Sequence, residues 1–222
     1  EYAGGYVKET IPGIYDWVCS FDVNSLYPSI IMQWNMSPDT VSSVDLGNCA
    51  VSASGVYFSK EKQGFLPKYY EELYASRVLA KKEMQKWQRE KESKEHQHSL
   101  HEIERHIMNN SVAEQSLKLF LNSGYGALAS PYFRFFDIRI AESITLTGQH
   151  VIKAAANQIN EYLNKILKTD NKDYILGVDT DSNYIYLKDI VEKFYSNLSE
   201  SKITDSLDKV CCKTETEAID VA

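Results

Sequence analysis

Residues 68–124 constrain the fold more than any other stretch, because they form a long charged segment with helical spacing that restarts partway along. After Pro67, the residues Tyr70, Leu73, Tyr74, Arg77, Lys81 and Met84 recur at intervals of three and four, which lays them on one face of a helix. Ser99-Leu-His-Glu102 then matches a capping box, where a serine hydroxyl and a glutamate three residues on satisfy each other's backbone amides. The spacing therefore predicts an antiparallel helical hairpin over 68–124, with its tip near His96 to Ser99 and a new N-cap at Ser99. With the turn placed at Ser99, Arg77 falls level with Asn122, and Lys81 with Lys118.

The flanking segments read as a small sheet with helices. Val18 to Val23 is a short apolar strand, and Ser25 to Trp34 the helix or turn after it. Residues 35–64 mix Ser, Gly, Asp and Asn with short apolar alternations, the pattern of loops and small hairpins. Beyond an aromatic turn at Pro131 to Phe136, the residues Ala141, Ile144, Gly148, Ile152, Ala155, Ile159 and Tyr162 make the core stripe of a third long helix. Two short strands, Tyr174–Val178 and Asn183–Leu187, flank the polar turn Asp179-Thr-Asp-Ser182, and an acidic, helical tail follows Lys188. The expected class is α+β: a small antiparallel sheet with packed helices in 1–67 and 125–222, and the helical hairpin in 68–124.

Charge matters here through its distribution. A net charge of −7 argues at first against a nucleic-acid partner. Yet residues 68–118 carry 10 basic and 9 acidic side chains, whereas 1–67 carry 3 and 7, and 183–222 carry 5 and 8. The excess acid lies at the ends, so the middle can still hold an anion. No apolar run approaches the roughly 18 residues of a membrane span. The start has no basic and apolar leader pattern, which predicts a cytoplasmic protein, in the host cell if viral. Cys19, Cys49, Cys211 and Cys212 lack the paired spacing of a zinc site and read as reduced thiols. His96, His98, His101 and His106 cluster at the hairpin tip, again without a common zinc spacing.

Three segments carry chemistry. Asp22 stands where an apolar strand ends, so its carboxylate projects from a sheet edge. An isolated Asp there is more often a cap. Lys118, Asn122 and Tyr125 share one helical face, a pattern that alone describes a solvated surface. Asp179 and Asp181 crowd one tight turn, where two acids repel unless a cation offsets them. Taken together the three segments mean more. Strand-end and turn acids converge if their strands are neighbours, and hard carboxylate oxygens on a rigid sheet suit Mg²⁺. Two such ions, roughly 3.5–4 Å apart, activate an attacking hydroxyl and stabilise a leaving pyrophosphate. The hairpin supplies Arg77, Lys81 and Lys118 as a basic patch fit for a triphosphate. That is a phosphoryl-transfer site without a glycine-rich phosphate loop.

The same residues resemble a known family. Asp-Val-Asn-Ser-Leu-Tyr-Pro-Ser-Ile over 22–30 looks like motif A of the family B DNA polymerases, Lys118 to Gly126 like motif B, and Asp179-Thr-Asp-Ser182 like motif C. The resemblance covers about residues 17–188 and is nearest the bacteriophage branch. It implies a palm in 1–67 and 125–222, fingers in 68–124, and template-directed DNA synthesis from dNTPs on primer–template DNA. It also implies that Asp22, Asp181 and the carbonyl of Val23 ligate the two Mg²⁺ ions, with Asp179 tuning metal geometry. Ser25, Leu26 and Tyr27 would line the triphosphate and sugar, Tyr27 excluding a ribose 2′-hydroxyl. Arg77, Lys81, Lys118 and Asn122 would hold the triphosphate, and Tyr125 would lie near the nascent base pair.

Two positions depart from the family pattern. Gly177-Val178 stands where Tyr-Gly is usual, which puts a β-branched residue beside Asp179. Asn183 replaces an apolar residue after the turn. The chain starts at Glu1, about twenty residues before Asp22, and stops about forty after Asp181. It therefore reads as an excerpt, or as one part of a split polymerase whose partners are the exonuclease and thumb segments or a second subunit. A catalytically silent module serving as an assembly partner is the rival reading, opposed by the intact Asp22, Asp181 and Lys118. A metal-dependent nuclease would have no use for the basic patch or for Tyr27.

Overall fold

The computed structural model describes residues 3–10, 12–93 and 97–195. In chain order the elements are β1 (Val7–Lys8), β2 (Val18–Asp22), α1 (Leu26–Gln33), β3 (Val41–Ser42), β4 (Cys49–Val51), β5 (Tyr57–Ser59), α2 (Phe65–Glu92), α3 (Leu100–Leu128), α4 (Ile138–Leu167), β6 (Ile175–Asp179), β7 (Ser182–Tyr186) and α5 (Lys188–Phe194). The mixed α+β class expected from the sequence is the class observed. Chain contacts divide the molecule into two units, Glu1–Tyr6 with Val23–Val151, and Val7–Asp22 with Ile152–Ala222.

The first unit is built on the helical hairpin. Its core gathers Leu26, Ile30, Ile31, Met36, Phe58, Tyr70, Leu121, Leu128, Ile140 and Ile144. The stretch expected to be loops and small hairpins forms a three-stranded antiparallel sheet in the order β3-β5-β4. Asn35, at φ 56°, turns the chain out of α1, and its side-chain amide donates to the carbonyls of Ser59 (2.6 Å) and Lys62 (2.8 Å). That holds the entrance to α2, which begins at Phe65 and not after Pro67. A proline is tolerated in the first turn, where its missing N–H would have had no intrahelical partner. The capping box at Ser99 is complete: Ser99 Oγ accepts from Glu102 N (3.3 Å) and Glu102 Oε2 accepts from Ser99 N (3.2 Å).

The register of the hairpin differs from the expected one. Arg77 pairs with Glu114 (2.9 Å), Trp87 stacks on His106 (4.2 Å) and Lys91 meets Glu104 (2.9 Å). Arg77 therefore does not face Asn122, nor Lys81 Lys118. Ser99 is the N-cap of the returning helix and not the level about which the facing pairs Arg77–Glu114, Trp87–His106 and Lys91–Glu104 are centred, which falls earlier in the chain. Moving that level by about three residues shifts facing positions by about six, or ~9 Å along the axis.

Tyr70 and Gly124 explain how closely α2 and α3 approach. A Cβ on Gly124 would stand 2.1 Å from the Tyr70 hydroxyl oxygen, and that buried hydroxyl has no hydrogen-bond partner among the described residues. Gly124→Ala is expected to destabilise the fold, since overpacking costs about 1–3 kcal/mol against the ~1 kcal/mol that Ala gains within a helix. Adding Tyr70→Phe should recover most of the loss in a thermal melt. A Gly124→Ala variant more stable than wild type would show that the hydroxyl is not confined. Burial also pushes the Tyr70 phenol up to about 12. The unfolded chain loses that proton near its ordinary value of 10.0 while the folded chain keeps it, so this contribution declines as pH rises from 10.0 to about 12.

The second unit holds a four-stranded antiparallel sheet in the order β1-β6-β7-β2. Ile175, Val178 and Ile185 from the strands are buried, as are Ile152, Leu163, Tyr174 and Val191 from the same unit. Lys8 Nζ donates to Asp173 Oδ2 (2.5 Å) and to the Ile175 carbonyl (2.6 Å), tying β1 to β6. The strands around the polar turn lie within a residue of their expected bounds. The tail is helical over α5, and residues 196–222, including Cys211 and Cys212, lie outside the described residues.

Candidate active site

In the second unit, strand register places the acids in one row. Ser182 on β7 is the Cα partner of Asp22 on β2 and of Asp179 on β6. Neighbouring strands run about 4.8 Å apart, so β7 seats Ser182 between two exposed carboxylates. Ser182 Oγ donates weakly to Asp22 Oδ2 at 3.5 Å, and Thr180 Oγ1 to Asp179 Oδ1 at 3.2 Å. The turn between β6 and β7 needs only Thr180 and Asp181. Thr180 takes φ 56°, an uncommon conformation for a β-branched residue, and Asp181 N donates to the Asp179 carbonyl at 2.6 Å. Asp181 is thus held at the tip, beside the row. Among the described residues, neither Asp22 nor Asp179 has an ion-pair partner. Nor do three His, Cys, Asp or Glu side chains form a ready-made metal cage there.

The departures beside this turn have local reasons. A Cβ on Gly177 would lie 2.6 Å from Thr10 Cγ2, so a side chain at 177 would collide with the segment leaving β1. Val178 points into the core, 2% exposed, with Asn183 as its cross-strand partner. Asn183 is buried and its Oδ1 has no hydrogen-bond partner among the described residues. A groove of ≈ 540 Å³ runs beside Asp179, lined by Lys8, Glu9, Thr10, Gly177 and Tyr184 among others.

The remaining candidates belong to the first unit. Ser25 is the N-cap residue of α1 at φ 56°, and its hydroxyl makes no cap. Instead it accepts from Arg77 Nη1 at 2.7 Å. Leu26 is 4% exposed, its side chain packed in the core. Tyr27 is half-buried, its ring 4.8 Å from that of Tyr125. A Cβ on Gly148 would come within 2.9 Å of Tyr27 Cε1, so that glycine lets the ring seat. Lys118 and Asn122 are exposed and Lys81 half-buried, with no ion pair to either lysine among the described residues. Lys118 sits between the levels marked by Tyr70–Gly124 and Arg77–Glu114, on the side of Arg77 away from Lys81.

The hairpin tip is a packed cluster. His98 and His106 lie against Trp87, and His98 Nδ1 is 2.8 Å from Glu90 Oε1. That contact holds the Glu90 carboxyl below the usual range. His96 lies outside the described residues. Glu114 and Thr10 are not singled out by the sequence, and Gly148 only as part of a core stripe, because each acts on a partner from a distant segment. Gly124, a glycine inside a helical pattern, carried a readable signal.

The profile described as DNA polymerase family B matches residues 1–196. The DNA-directed DNA polymerase of Escherichia phage RB69 is 30% identical over 280 residues, covering 99% of this chain and 30% of the relative. That of Enterobacteria phage T4 is 30% identical, covering 86% of this chain and 28% of the relative. DNA polymerase II of Escherichia coli K12 is 30% identical, with 83% and 20% covered. The chain spans about 30% of the length of the phage relatives.

Proposed function

This chain belongs to DNA polymerase family B, and on that premise we propose that it carries the nucleotidyl-transfer site for template-directed DNA synthesis. In this reading residues 1–67 and 125–222 are the palm and 68–124 the fingers. The observation that carries it is the row Asp22–Ser182–Asp179 across three strands, with Asp181 at the adjoining turn.

The residues fit Mg²⁺. Their donors are hard oxygens, Asp22 and Asp179 are exposed and lack a cationic partner among the described residues, and no complete protein cage exists there. Mg²⁺ is commonly bound by one or two carboxylates together with substrate phosphates. Asp22, Asp181 and the Val23 carbonyl would hold two ions, and Asp179 would set the aim of the turn. When bound, the ions would lower the pKa of the primer 3′-hydroxyl and offset charge on the departing pyrophosphate.

The chain's other residues bind and select. Arg77, Lys81, Lys118 and Asn122 hold the triphosphate of the incoming dNTP, together with Ser25 and the backbone of Leu26. Tyr27, braced by Tyr125 and seated over Gly148, crowds the 2′ position of the sugar. Tyr125 also lies near the nascent base pair. The partners are primer–template DNA and the other segments of a polymerase, exonuclease and thumb, or a second subunit. No described helix is long and apolar enough to cross a membrane, and the cytoplasm, of the host cell if the chain is viral, is the proposed location.

Primer extension tests the reading: the polymerase carrying this chain should add templated dNTPs in the presence of Mg²⁺, and none added would end it. Tyr27→Ala should raise ribonucleotide incorporation relative to dNTPs by about tenfold or more, a loss of ~1.4 kcal/mol of discrimination. Unchanged discrimination would return Tyr27 to a packing role.

A further inference from the structure

Glu114 belongs to none of the motifs above, yet it joins the two helices of the hairpin at Arg77. Its Oε1 accepts from Arg77 Nε at 2.9 Å, and the two side chains are only 13% (Arg77) and 15% (Glu114) exposed. On its other side Arg77 donates from Nη1 to Ser25 Oγ at 2.7 Å. Ser25 in turn donates to Asn24 Oδ1 (3.3 Å), and Asn24 Nδ2 donates to the Tyr74 hydroxyl on α2 (3.4 Å). A left-handed backbone with its hydroxyl diverted from capping is thus linked to a half-buried ion pair.

We propose that Glu114 is a positioning residue for nucleotide binding: it fixes the Arg77 guanidinium so that its unused N–H groups face the triphosphate. This rests on the reading of Arg77 as a triphosphate ligand. A guanidinium has five N–H donors in one plane. Glu114 takes the Nε–H and Ser25 one Nη1–H, which sets the plane and leaves the rest of the terminal fork. The carboxylate holds the Nε edge through one bond and does not clasp the fork in a bidentate pair. Phosphate and carboxylate therefore use different edges of the same group and do not compete. The side-chain freedom that binding would otherwise remove has already been lost in folding.

Single-nucleotide incorporation by the polymerase carrying this chain tests the assignment. Glu114→Ala should raise KM for dNTP about tenfold, with kcat within about threefold of wild type, because a group made mobile weakens binding more than chemistry. Glu114→Gln keeps size and an acceptor oxygen and should recover most of the loss. In an Arg77→Ala background Glu114→Ala should change KM no further, since both act through one contact. An unchanged or lower KM in Glu114→Ala would overturn the proposal, the lower value marking Glu114 as a competitor of phosphate. Equal losses with and without Arg77 would overturn it too, marking a general packing role. A wild-type enzyme that incorporates nothing would sink the polymerase reading, and this assignment with it.

Discussion

Primer extension is expected to fall below detection when Asp22 or Asp181 is replaced by alanine, while the melting temperature should stay near that of wild type. Asp22 ends a strand at the surface, with one weak hydrogen bond from Ser182 and no ion pair among the described residues, so little stability depends on it. In the proposed site its carboxylate is a metal ligand. Removing a ligand from a two-ion site takes away both nucleophile activation and charge neutralisation, each a large share of the barrier. Asp179→Ala should lie between these variants and wild type, because Asp179 orders the turn without being a proposed ligand. Asp16→Ala removes an exposed acid of the same unit, paired with Lys188 at 3.4 Å, and should leave extension unaffected. Extension within about tenfold of wild type for Asp22→Ala would remove it from any metal site.

Nucleotide use should weaken roughly ten- to a hundredfold in Lys118→Ala and in Arg77→Ala, each charge-assisted contact to phosphate being worth about 1.5–3 kcal/mol. Lys118 is the cleaner test, since it is exposed and without an ion pair among the described residues. Arg77→Ala also strands Glu114 and releases Ser25, so it should lower the melting temperature as well. The register of α2 and α3 sets Lys118 nearer the level of Arg77 than that of Lys81, so the double variant of Arg77 and Lys118 should lose less than the two single losses combined. Lys81 lies one helical turn further toward the tip and should couple weakly with Lys118. Steady-state incorporation over a dNTP series would measure the single and double variants. Full additivity of Arg77 and Lys118 would place them on separate phosphate contacts.

How much was legible in the chain follows from the range of each interaction. The helix starting at Leu100 was readable because Ser99 and Glu102 satisfy one another within a single turn. The acids at 22, 179 and 181 were readable because alternating apolar residues mark strand ends without reference to the rest of the fold. The hairpin register was misjudged because the capping box fixes where a helix begins, not where the connecting segment is centred. That offset is set by packing between helices, by Tyr70 against Gly124 and Trp87 against His106.

Local order was therefore determined by the sequence alone: the class of fold, the three long helices, the β6–β7 turn and the residues that resemble three polymerase motifs. Tertiary structure decided what lies beside what. It put β7 between β2 and β6, so that Ser182 sits in one row with Asp22 and Asp179. It also turned Arg77 toward Glu114 and Ser25, and laid Thr10 over Gly177. Caps and periodicity depend on neighbours three or four residues away, which a linear pattern records. Strand order, helix register and the partner of a long cationic side chain depend on contacts between segments dozens of residues apart. Those are settled only when the core packs.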